Sequence, residues 1–121
     1  MLKIDMEFRK GILFIRIIGK LNKYTISDFS DNVIPVILKH GLKYLVINLD
    51  KLESIDSYGI KELIKINDLV SKWNGKATLC SINECMKENI YKSDLTGRFF
   101  ETSDELTAIE VFKIWAIILW S

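Results

Sequence analysis

The spacing of apolar and polar residues changes several times along the chain, and each change predicts an element. From Leu2 to Arg9 the two classes alternate, with Leu2, Ile4, Met6 and Phe8 on one side, as in a half-buried strand. Lys10-Gly11 then reads as a tight turn into the β-branched run Ile12 to Ile18, so the chain opens on a hairpin. After Gly19 the spacing lengthens to that of a helix running to about Lys39. Ile26, Phe29, Val33, Ile34, Ile37 and Leu38 share its inner face, Thr25 or Ser27 can cap its start, and His40-Gly41 suits its end. Pro35 inside that span predicts a kink.

Tyr44 to Leu49 is apolar almost without a break, the mark of a strand covered on both faces. Ser57 to about Lys72 is the clearest helix, with Ile60, Leu63, Ile64, Val70 and Trp73 inward and Lys61, Lys65, Asp68 and Lys72 outward. Gly75 stops it, Lys76 to Ser81 predicts another strand, and Asn83 caps a short helix to about Tyr91. Phe99 and Phe100 mark a short last strand, and Ser103 caps a final helix with Asp104 and Glu105 in its first turn. Strand, helix and strand in repetition imply parallel pairing, to which the hairpin adds an antiparallel edge. The expected fold is therefore α/β, a mixed sheet of about four to five strands with about four helices.

Composition narrows the function classes. With 121 residues, 49% apolar and 27% charged, the chain fits one domain over residues 1–121, long enough to bury a core. Lys and Arg number 17 against 16 acids, and no cationic block stands out, so the footprint of a nucleic-acid binder is missing. The N-terminus alternates where a leader would be apolar, and no run approaches the roughly 20 apolar residues of a membrane span, so a cytoplasmic protein is expected. Cys80 and Cys85 read as two buried thiols; with His40 distant in sequence they form no zinc set, and no cofactor is expected.

The chemistry to be explained lies in ESIDSYGIKEL, residues 53–63, where a buried strand hands over to a helix. Ser57 as a nucleophile would need a base that only His40 can readily supply, and DSYG is not the G-x-S-x-G elbow of a hydrolase. Asp50, Glu53 and Asp56 lack the spacing of a calcium loop. Asp56 as the phosphoacceptor of a receiver domain would need an acidic pair after the first strand, which FIRIIGK does not provide. The plainest reading of Asp56-Ser57 is an ordinary helix cap.

Three segments, GKLNKYT, YLVINLDKLESIDSYGIKEL and GKATLCSIN, resemble in order and spacing the STAS domain, the sulphate transporter and anti-sigma factor antagonist module. The resemblance runs from the first strand to about Phe112 and is closest to free-standing bacterial anti-sigma factor antagonists. It implies a binding protein and no catalysis. Such a protein binds an anti-sigma factor that is also a serine kinase and frees the sigma factor; the kinase phosphorylates the serine after the motif aspartate, and a PP2C-type phosphatase reverses this. The phosphoacceptor is then Ser57, the motif acid Asp56 and the motif glycine Gly59, within a partner surface of Asn22, Tyr24, Thr25, Asp56, Ser57, Tyr58, Gly59 and Lys61. Tyr58 and Lys61 stand where the family has small residues, and Asn22 where it commonly has aspartate. The alternative the resemblance leaves open is an accessory STAS module of a membrane transporter or signalling complex.

The tail over residues 111–121, VFKIWAIILWS, is more apolar than a closing surface helix requires. It is too short to span a bilayer. It is expected to pack on the core, form a homodimer or touch a surface.

Overall fold

Lys10 and Gly11 both adopt positive φ, 56° and 81°. That is the twist a two-residue hairpin turn demands, and it joins β1 (Leu2–Arg9) to β2 (Ile12–Leu21) with Arg9 opposite Ile12. The computed structural model describes the backbone of residues 1–120 and the side chains of residues 1–117. The chain continues through α1 (Ile26–His40), β3 (Tyr44–Asn48), β4 (Leu52–Ile55), α2 (Ser57–Ser71), β5 (Lys76–Cys80), α3 (Glu84–Lys92), α4 (Leu95–Arg98), β6 (Phe100–Thr102) and α5 (Glu105–Trp120).

The sheet runs in the order β1-β2-β3-β5-β6, antiparallel between β1 and β2 and parallel elsewhere, with β4 also paired to β2. Alternate residues supply two cores. Leu13, Ile15, Ile17, Leu45, Ile47, Leu49 and Leu79 meet Phe29, Val33 and Ile37 of α1, Leu63, Ile66 and Val70 of α2, and Met86 and Ile90 of α3. On the other face Ile12, Phe14, Val46 and Cys80 meet Ala108, Ile109 and Phe112 of α5. The strands are thus covered on both faces, as the unbroken run in β3 predicts. Each fully buried Leu, Ile or Phe in these cores is worth about 1.5–3 kcal/mol of transfer free energy.

The described residues hold six strands and five helices, more than the sequence predicts. The additional strand, β4, follows from a mismatch of lengths. β3 pairs only with Ile12 to Arg16 of β2, which leaves the end of β2 open on the side away from β1, and Leu52, Ser54 and Ile55 fill it opposite Gly19, Lys20 and Leu21. Gly19 makes the changeover possible. Its φ is +106°, and a Cβ there would collide with the carbonyl oxygen of Met1. The additional helix, α4, is a four-residue turn after α3.

Several local expectations change. Leu38 and Phe8 are 52% and 59% exposed, beyond the ends of the faces to which periodicity assigns them. Thr25 occupies the N-cap position of α1 without a side-chain cap bond, because its hydroxyl donates to the Lys20 carbonyl (2.9 Å) and accepts from the Asn22 N–H (2.9 Å). Asp104, not Ser103, caps α5, its Oδ1 accepting from the Thr107 N–H at 2.8 Å. Cys80 is buried, which pushes its thiol up to about 11, but Cys85 is exposed on α3.

Candidate functional site

The handover from β4 to α2 is built around Asp56. Its backbone is extended (φ −108°, ψ −175°), which aims the carboxylate back over the first turn of α2, where Oδ1 accepts from the Gly59 N–H at 2.9 Å. Oδ2 accepts from the Lys23 N–H at 3.0 Å, across 33 positions of sequence, so one side chain ties the β2–α1 loop to the start of α2. Burial raises the affinity of this carboxyl for a proton, but the amides of Gly59, Lys23 and Tyr58 outweigh it, and the carboxyl titrates below the ordinary aspartate value. Asp56 is thus a fixed anion.

Gly59 is required by close approach. A Cβ there would stand 2.5 Å from the Leu21 carbonyl oxygen and 2.8 Å from Ile55 Cγ1, so the end of β2 can lie against α2 only if this residue has no side chain.

The predicted site residues come together in two tiers. Asn22 and Thr25 form the scaffold: Asn22 Oδ1 accepts from the Tyr24 N–H (2.9 Å), and Thr25 is engaged as described above. Above them Tyr24, Ser57, Tyr58 and Lys61 are exposed. Tyr58 is 51% and Tyr24 81% exposed, and each ring has a lysine near it, Lys61 Nζ 6.0 Å from the Tyr58 centroid and Lys23 Nζ 5.0 Å from that of Tyr24. Ser57 is the first residue of α2, and its hydroxyl takes no hydrogen bond from or to the described residues. The cap therefore falls on Asp56 and leaves Ser57 free.

His40 ends α1, whose start adjoins this surface, so 15 residues of helix, about 22 Å, separate the imidazole from the site. It is not a base for Ser57. The arrangement offers a docking surface and an accessible hydroxyl at a helix N-terminus, where the helix dipole favours an added anion although the Asp56 carboxylate already engages the amides of Tyr58 and Gly59.

Sequence reasoning missed a second polar cluster. Arg16 of β2 donates from Nε and Nη2 to Glu105 Oε2 and Oε1, from Nη1 to Asp5 and from Nη2 to Glu7, all at 2.8 Å. Asn48 donates to Glu105 Oε2 at 2.8 Å. The Arg16 guanidinium holds the Glu105 carboxyl below its ordinary value, with burial opposing. The only sequence signal was a lone arginine within the apolar run Ile12 to Ile18.

The profile of the STAS domain family matches residues 3–107. An anti-sigma F factor antagonist of Paenibacillus polymyxa is 26% identical over 98 residues, 81% of each chain. Among solved structures, an anti-sigma factor antagonist from Mycobacterium paratuberculosis superposes with a TM-score of 0.80 at 18% identity, covering 92% of this chain and 93% of that one. The Bacillus cell fate determinant SpoIIAA in its phosphorylated form gives a TM-score of 0.69 at 16% identity, covering 90% and 99%. These structural matches establish the fold.

Proposed function

The chain belongs to the STAS domain family, and on that premise we propose that it is an anti-sigma factor antagonist. It binds an anti-sigma factor that is also a serine kinase, releases the sigma factor held there, and is switched off when that kinase phosphorylates Ser57; a PP2C-type phosphatase restores it. This chain supplies the surface and the acceptor hydroxyl and performs no catalysis. The observation that carries the reading is the division between neighbours at the start of α2: Asp56 is consumed in the cap, while Ser57 stands exposed beside it.

The physics of the switch follows from that placement. A phosphate on Ser57 adds about −1.5 to −2 charges at pH 7 where the helix N-terminus accepts an anion, so the fold persists. The added charge acts on docking instead. Two unit charges at about 4 Å interact by roughly 1–4 kcal/mol at surface dielectrics, and about 1.4 kcal/mol is tenfold in affinity, so one phosphate against an acidic partner surface suffices.

Incubation with the cognate anti-sigma kinase and ATP, followed by mass spectrometry, should place the phosphate on Ser57. In titrations against that kinase with ADP, Ser57→Ala should bind like wild type and Ser57→Asp at least ~10-fold more weakly. Both variants should melt within about 0.5 kcal/mol of wild type, as for an exposed residue outside the cap. A phosphate on another residue, or equal affinity of wild type and Ser57→Asp, would overturn the switch.

A further inference from the structure

The turns that lead into the parallel strands open on one edge of the sheet, opposite the Asp56–Ser57 surface. Ile12, Tyr44 and Lys76 stand level in register as the first paired residues of β2, β3 and β5. Lys10 of the hairpin, Lys39 and Lys43 around the end of α1, and Lys72 and Lys76 around the end of α2 therefore converge there. All five are exposed, and none joins an ion pair among the described residues. Glu7, Asp68 and Glu110 each have a cation of their own, Arg16, Arg98 and Lys113.

α5 arrives at the same edge. It starts at the far end of β3, where Glu105 meets Asn48, and by Phe112 it lies on Tyr44, the first residue of β3, with ring centroids 5.3 Å apart. At Trp115 it has reached Lys76, whose Nζ is 5.8 Å from the indole. The helix continues to Trp120, roughly 7 Å further. From Ile114 to Trp120 the sequence IWAIILW carries no charge, and Ile114 and Ile117 are 54% and 69% exposed. An apolar helix end thus reaches the lysine-rich side of the sheet.

We propose that this edge docks on an anionic lipid surface, with the end of α5 in the headgroup region and the lysines against lipid phosphates. Charge complementarity selects this occupant. A second copy meeting edge to edge would oppose lysine with lysine, whereas an anionic bilayer satisfies the apolar end and the cations together. No helix among the described residues is long and apolar enough to cross a membrane, so the contact is interfacial. Ser57, at the other end of α2, would then face away from the bilayer and remain open to a protein partner.

Flotation of the 121-residue chain with vesicles of phosphatidylcholine alone, and of equimolar phosphatidylcholine and phosphatidylglycerol, tests this. Binding is expected to the anionic vesicles only. It should weaken at least ~10-fold in the Lys43→Glu/Lys76→Glu double variant and in Ile117→Glu, while both variants melt as wild type does by circular dichroism. Equal binding to both vesicles, binding to neither, or undiminished binding by the double variant would overturn the proposal. Indifference to lipid together with a dimer in sedimentation that Ile117→Glu dissociates would assign the edge to a second copy instead.

Discussion

Tyr58 shows how an exposed position beside a buried one can be separated by experiment. Its neighbour Gly59 is enclosed by Leu21 and Ile55, yet the Tyr58 ring is half exposed and lies near Lys61. Removal of the ring leaves no cavity, so Tyr58→Ala should change stability by less than about 0.5 kcal/mol. Tyrosine is among the residues enriched at binding hot spots, and the same substitution should weaken kinase binding by about 1–2 kcal/mol. Thermal melting and a titration check the two halves; a large fall in melting temperature would place the ring in the core. At this scale the local geometry was legible, because Asp56 and Gly59 meet within one turn and the cap reaches only three residues ahead. What Asn22 and Thr25 do was not legible. Their side chains satisfy a turn whose shape depends on where β2 ends.

At the scale of elements, α5 is held to the sheet in two ways. Ala108, Ile109 and Phe112 cover Ile12, Phe14 and Val46, while Glu105 grips Arg16 at its N-terminal end. Glu105→Gln keeps one acceptor and removes the charge, and Arg16 retains Asp5 and Glu7, so the loss at neutral pH should be about 1–2 kcal/mol in denaturant titration. The sign with pH follows from the lowered carboxyl. The wild-type advantage should be fully present above the ordinary glutamate value of 4.5 and should fade as pH falls through the lower folded value. An advantage that persists unchanged in strong acid would show that geometry, not charge, makes the contact. The helices and long strands were readable because each carries its own period. β4 was not, since Leu52–Ile55 is too short to show one and pairs only because β2 outruns β3.

At the scale of the molecule, the two cores lie on opposite faces of the same strands, so neither is complete without the sheet between them. We propose that residues 1–121 fold as one cooperative unit, which predicts a single melting transition with coincident near- and far-ultraviolet dichroism. A separate early loss of α5 would count against it. The sequence by itself determined the opening hairpin, the capped start of α2, the buried parallel strands and the Asp56-Ser57 handover from strand to helix, since each rests on backbone preferences and periodicities acting over a few residues. Only the tertiary structure decided the bond from Lys23 to Asp56, the gathering of Asp5, Glu7, Asn48 and Glu105 around Arg16, and the lysine edge around the end of α5. The charged residues of these groups are scattered along a chain with no cationic block. The lysines come together because helix ends and strand starts must return to the same side of the sheet before each new parallel strand begins, whereas Asp5 and Glu7 reach Arg16 across the antiparallel pair of β1 and β2.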